Sequence, residues 1–372
     1  MVNMSIRIKR IVFIIAVLSV SVSISAFSGE VNKPPEVVLT HVPAYGTEEY
    51  LEGRVQLGDR DDISQYQIAV YISIPPYGWW NKPSLAQPLT IIGDNGYWVC
   101  DICTGGQDRY ATEIAAFLVS YDYQPPIASG QQCLDSRLYQ FPHVMTERYK
   151  KLTFAGLDWW IKRHHDGVGP GPNYFSDAEE NVRVDPNGLL HIRIDKRNEK
   201  WHCGEVVADT VFGYGTYVFT VQADLDVLDR NAVLGLFTWE DCVPEYHYRE
   251  IDIEISQWGN PEEPNNSQYV VQPWDTDGNM HRFEIDGEGG DITTHVFTWE
   301  PNEIHFQSYY GNYTPVLDPN NLIATWSYTG PDIPPAGAEN PRINLWLING
   351  DAPSNGRAAE VVIRDFKYLP LE

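Results

Sequence analysis

The chain has 372 residues, 43% of them hydrophobic and 13% aromatic, and its 26 basic against 51 acidic residues give a formal charge of −25. So acidic a surface excludes nucleic-acid binding and disfavours highly sulfated polyanions, while the apolar content excludes a disordered chain. The length suits two compact domains, each with its own core.

At the N-terminus, Arg7, Lys9 and Arg10 precede an apolar run from Ile11 to Ile24, followed by small residues at Ser25, Ala26 and Ser28. The pattern predicts a signal peptide over residues 1–26, too short in its apolar part to span a bilayer. The mature protein is therefore expected to be secreted, free of the membrane and monomeric. Five cysteines in an exported chain predict disulfides with one thiol left over. Cys100, Cys103 and Cys133 lie in the first half and Cys203 and Cys242 in the second, so one bridge per half is expected, with the pairing open. Cys100 and Cys103 lack the second ligand pair that a zinc site needs.

Residues 37–123 read as short strands separated by turns. Tyr66 to Ile72 alternates, Asp94-Asn95-Gly96 is a hairpin turn, and Glu113 to Val119 is a further strand, which together predict a small β-sandwich. Tyr77, Trp79, Trp80 and Trp98 lie in or beside its turns. They form either a sugar-stacking platform of a carbohydrate-binding module or the caps of the module's own core. Residues 124–150 lack periodicity around Pro125-Pro126 and Ser129-Gly130 and are expected to be a linker. Over 151–372 the strands lengthen. Tyr217, Phe219, Val221 and Ala223 share one face, and the same period of two returns at Glu303 to Tyr309, Arg342 to Ile348 and Glu360 to Lys367. No helical period is sustained, so the fold class is all-β, with a two-sheet jelly roll as the larger domain.

Glu250-Ile251-Asp252-Ile253-Glu254 carries the chemistry. In a strand, alternate residues share a face, so the three acids point one way while Ile251, Ile253 and Ile255 pack into the core and fix the register. Three carboxyls in one row repel and raise one another's pKa values. The α-carbons of the outer pair are roughly 13 Å apart at strand rise, and side chains leaning inward bring the carboxyls within the range for retaining or inverting glycoside hydrolysis. The middle acid can hydrogen-bond one glutamate and adjust the proton distribution across the row.

These residues resemble the Glu-x-Asp-x-Glu signature of glycoside hydrolase family 16. The resemblance extends over 152–369 through Gly213-Tyr214-Gly215, Leu236 to Trp239, His295 to Trp299 and Asn344-Leu345-Trp346. It implies a concanavalin-like jelly roll and a secreted, retaining endo-β-glycanase acting on a β-linked polysaccharide. Glu250 would be the nucleophile, Asp252 the assisting acid and Glu254 the acid/base. The unbulged strand is similar to that of lichenases and xyloglucan transglycosylases, which points to a β-1,3- or mixed β-1,3-1,4-glucan. Substrate-binding positions implied by the resemblance are Asn173, Glu205, Tyr248, Gln272, Trp274, Asn344 and Trp346. Tyr248 stands where lichenases carry a tryptophan, and the lichenase disulfide partner of Cys203 is absent, with Phe175 near its place. No cofactor is required. Some family members hold a structural calcium at places matched by Gly188 and Asp365, although a hairpin turn and a surface acid explain those residues more simply. The competing readings are a non-catalytic lectin on the same scaffold and a transglycosylase in which a sugar replaces water.

Overall fold

A computed structural model describes residues 34–58, 62–316 and 318–371, so the leader expected over 1–26 lies outside the described residues. The N-terminal unit contains β1 (Glu36–His41), β2 (Leu51–Gln56), β3 (Tyr66–Ser73), β4 (Trp79–Lys82), β5 (Thr90–Ile91), β6 (Tyr97–Cys100), β7 (Glu113–Ser120), β8 (Ser129–Gln131) and β9 (His143–Glu147). One sheet has the order β1-β2-β6; the other has the order β8-β4-β3-β7-β9, with β5 added to β3. Leu51, Val55 and Trp98 from the first sheet meet Ile68, Val70, Ile72, Ile114 and Leu118 from the second, closing a small sandwich core.

The opposite face of β3 and β7 is buried as well, because Ala69, Tyr71, Ala115 and Phe117 are covered by Ala128, Leu134 and Leu138. The segment expected to be a linker over 124–150 is thus a layer of this unit, and β9 pairs with β7 along its length. Its signal in the sequence is weak for physical reasons. Leu138 sits in a short 3-10 turn, and β9 is an edge strand exposed at every second residue. Trp79 and Trp98 are core residues rather than a platform.

The larger unit follows with β10 (Lys150–Phe154), β11 (Leu157–Ile161), β12 (Tyr174–Phe175), β13 (Val182–Val184), β14 (Leu190–Arg197), β15 (Lys200–Ala208), β16 (Gly215–Gln222), β17 (Ala232–Trp239) and β18 (Ile251–Ile255). It continues through β19 (Ser267–Val271), β20 (Met280–Phe283), β21 (Ile292–Glu300), β22 (Glu303–Tyr310), β23 (Leu322–Tyr328), β24 (Asn340–Leu347) and β25 (Ala359–Pro370). One layer has the order β20-β19-β18-β17-β24-β15, extended by β11 and β10; the other has the order β14-β25-β16-β21-β22-β23. The β14–β15 hairpin joins them, with Asp195 opposite His202.

Between the layers Leu234, Leu236, Ile251, Ile253 and Leu345 pack against Tyr217, Phe219, Phe297, Ile363 and Phe366. This is an all-β jelly roll. At about 25 cal/mol per Å² of apolar surface removed from water, such aromatic and aliphatic side chains each contribute roughly 1.5–3 kcal/mol.

The single disulfide among the described residues, Cys133–Cys242, joins the two units, and Cys100, Cys103 and Cys203 are free. The expectation of one bridge per half is therefore corrected: the layer over 128–141 places Cys133 against the loop that follows β17. Further contacts hold the units together. Tyr110 stacks on His165 at 3.9 Å, Arg163 lies over the Tyr45 ring at 3.9 Å, and the Tyr77 hydroxyl donates to Asp166 at 3.2 Å.

Candidate active site

Ile251, Ile253 and Ile255 are fully buried in the core, which turns Glu250, Asp252 and Glu254 to the outer face of β18. Glu250 precedes the strand but is extended, so the alternation includes it. Just before it, His247, Tyr248 and Arg249 all adopt positive φ, a left-handed run that costs non-glycine residues roughly 1–3 kcal/mol each. Surrounding contacts hold this run in place. Tyr248 stacks on Trp239 at 4.4 Å, the Arg249 Nε donates to Glu240 at 2.5 Å, and the Thr238 hydroxyl donates to the Arg249 carbonyl at 2.9 Å.

Strand registers assemble the floor around the acids, because residues directly opposite one another share a face. One row runs Arg282, Gln268, Glu254, Gly235, Asn344, Glu205. The next runs Met280, Val270, Asp252, Phe237, Arg342, Val207. Gly235 is required where it stands, since a Cβ there would lie 2.5 Å from the Asn344 Oδ1.

Two of the three acids have a fixed amide partner. Gln268 Nε2 donates to Glu254 at 2.8 Å and itself accepts from Arg282 at 3.0 Å. Gln272 Nε2 donates to Asp252 at 3.0 Å. All three carboxyl pKa values are raised, first by burial. For Glu250 the neighbouring Glu254 adds to the rise, and for Asp252 both glutamates do. Their mutual interaction raises Asp252 and lowers Glu250, which favours the neutral form of Asp252 beside the charged form of Glu250. Arg342 further favours the charged form of Glu250.

The positions expected to bind substrate divide into groups. Trp274 stands at the rim after β19 and is 62% exposed. Tyr248 and Gln272 lie at the acids, one through its stack on Trp239 and one through Asp252. Trp346 is buried with its edge on Trp258 at 6.0 Å. Glu205 and Asn344 share the Glu254 row but are only 1% and 2% exposed; Glu205 is bound by Lys162 at 2.8 Å and by Asn344 at 3.3 Å. Asn173 is pinned between its own loop and the end of β24, donating to the carbonyls of Pro170 and Leu347 at 2.8 Å each.

Sequence reasoning missed Arg342, Lys162, Phe237 and Gln268. Arg342 was findable, because it precedes Asn344 and Trp346 in the same alternation.

At the places matched to a calcium site, the Gly188 N–H donates to the Asp185 carbonyl and the Asp365 carboxylate is engaged by Lys367 at 2.7 Å. Among the described residues no group of three or more His, Cys, Asp or Glu side chains is arranged to hold a metal.

No protein-family model and no curated protein matches the chain. Among solved structures it is similar to a β-glucanase of Bacillus licheniformis, at 17% identity and TM-score 0.44 over 59% of this chain and 95% of that one. It is similar to a laminarinase from Flavobacterium sp. UMI-01, at 14% identity and TM-score 0.43 over 57% and 92%. A pseudo β-1,3-glucanase of Mycobacterium tuberculosis gives 20% identity and TM-score 0.43 over 57% and 91%.

Proposed function

We propose that the chain is an exported, retaining glycoside hydrolase of the family 16 type that cleaves a β-1,3- or mixed β-1,3-1,4-glucan. The observation that carries the reading is the acid row itself: three carboxyls on one face, with Gln268 bound to Glu254 and Gln272 bound to Asp252. The leader-like N-terminus and the Cys133–Cys242 bridge support export.

In the first step the Glu250 carboxylate attacks the anomeric carbon while Glu254 gives its proton to the glycosidic oxygen. The C–O bond to the leaving sugar breaks, and a glycosyl ester forms on Glu250. Burial raises the Glu254 carboxyl to about 7, which keeps a proton available for that transfer. In the second step Glu254, now ionised, takes a proton from water as the water attacks the same carbon and frees Glu250. Asp252 stabilises the Glu250 carboxylate before it attacks and again as it leaves in the second step, and Gln268 fixes the orientation of Glu254.

The test is hydrolysis of a glucan panel by the wild type and by Glu250→Gln and Glu254→Gln, with the anomer of the first product followed by NMR. The reading expects the β-anomer first and a loss of about 10²–10⁴-fold in the Glu254 variant. Unchanged rates in both variants would exclude it.

A further inference from the structure

The two rows that pass through the acids can be followed outward to both sides. Toward β19 and β20 the floor is open: Trp274 is 62% exposed and residues 275–278 are exposed. Toward β15 the same outer face is covered. Val207 and Phe237, which the register places on the acid side, are nearly as buried as the core. Trp160 continues their row from β11 and carries Tyr149 stacked at 6.3 Å with an interplanar angle of 12°.

Tyr149 belongs to the connector from the N-terminal unit, and its hydroxyl lies close to Thr112 of that unit. Glu113, the first residue of β7, faces Asp241 and Arg342, and its carboxyl is pushed up to about 7, mainly by burial. Arg342 is held by Asp241 at 3.0 Å, and the adjacent Cys242 is covalently tied to Cys133. The N-terminal unit is thus fastened across the β24–β15 end of the face that carries the acids.

We propose, resting on the hydrolase reading, that the cleft is blind on its β15 side and that the N-terminal unit restricts action to the ends of glycan chains. The sequence expectation of endo-cleavage needs a cleft open at both sides. Here the floor from β18 to β24 spans two strand spacings, about 10 Å, before the wall begins. That length accommodates about two sugar rings between the acids and Tyr149. The wall is built by Tyr149 stacked on Trp160, with Glu113, Asp241 and Arg342 clustered beside it. The disulfide fixes its position, so it does not act as a hinged lid.

The test uses Glu250→Gln protein and two series of β-1,3- and mixed-linkage gluco-oligosaccharides, one blocked with a bulky fluorophore at the reducing end and one at the non-reducing end. A blind cleft loses affinity roughly tenfold or more for one series and keeps it for the other. Equal affinities for both series overturn the proposal. Glu113→Ala/Tyr149→Ala protein should recover binding of the excluded series while the accepted series binds as before, which also reports that the site is intact. With wild-type protein, a polymer should yield one short product length from the earliest time points. A mixture of lengths with a rapid fall in viscosity overturns it. Failure of the hydrolase reading looks different: asymmetric binding without turnover.

Discussion

Gln272 donates from Nε2 to the Asp252 carboxyl at 3.0 Å while its Oε1 accepts the backbone N–H of Trp274 at 2.9 Å. The second bond fixes which end of the amide faces the acid, and the first stabilises the ionised form of Asp252. Replacing Gln272 by Ala removes that stabilisation and raises the Asp252 pKa further, so its carboxyl is more firmly neutral. A neutral Asp252 favours the ionised Glu250, so the acid limb of the kcat/KM profile is expected to move to lower pH, with kcat reduced. A pH–rate series on both proteins measures this; an unmoved limb would remove Gln272 from the network.

The buried acids make the fold less stable at neutral pH than in mild acid. The sign follows from proton counting: Glu254 titrates at about 7 when folded and at about 4.3 unfolded, so between those values the folded state holds more protons. Wild-type stability therefore falls as pH rises from about 4 to 7. Glu254→Gln, which has no proton to lose, should melt about 2–8 °C higher at pH 7 and close to wild type at pH 4. Thermal melts at both values decide it.

Joining Cys133 to Cys242 closes a loop with a sequence separation of 109. On the chain-entropy account, a loop of that length contributes about 4–5 kcal/mol. Cys133→Ser/Cys242→Ser protein should show a correspondingly lower unfolding free energy in denaturant, and wild-type protein in strong reductant should behave the same way. No difference in midpoint would mean that the interface between the units fixes their positions unaided.

Trp274 is exposed at the open side of the acid row, where an indole face can stack on a sugar ring. Trp274→Ala should raise KM about three- to tenfold through lost stacking of about 0.5–1.5 kcal/mol, with the melting temperature unchanged. Michaelis–Menten analysis on soluble oligosaccharides provides the measurement.

The acid-bearing strand β18 was legible because its two faces have opposite chemistry: isoleucines that must be buried alternate with acids, and no other register satisfies both. The jelly roll was legible for the same reason, through the repeated period of two in strands such as Gly215–Gln222. What escaped the sequence depends on contacts between distant segments. Cys133 reaches Cys242 only because Leu134 and Leu138 cover the back of β3 and β7. Trp79 and Trp98 look like surface aromatics beside turns but fill the sandwich. Asn173 and Glu205 are polar residues at plausible places whose hydrogen bonds are made within the protein. Arg342 shares a face with Asn344, yet its role beside Glu250 emerges only once β24 is placed next to β17.

The central claim is that Glu250 becomes covalently glycosylated. Incubation with an activated 2-deoxy-2-fluoro-β-glucosyl oligosaccharide slows breakdown of the intermediate and allows its capture, and peptide mass spectrometry then locates the label. The account predicts stoichiometric modification of Glu250, absent in Glu250→Gln. Turnover of glucan with no label on Glu250, or a label on a different residue, would contradict it.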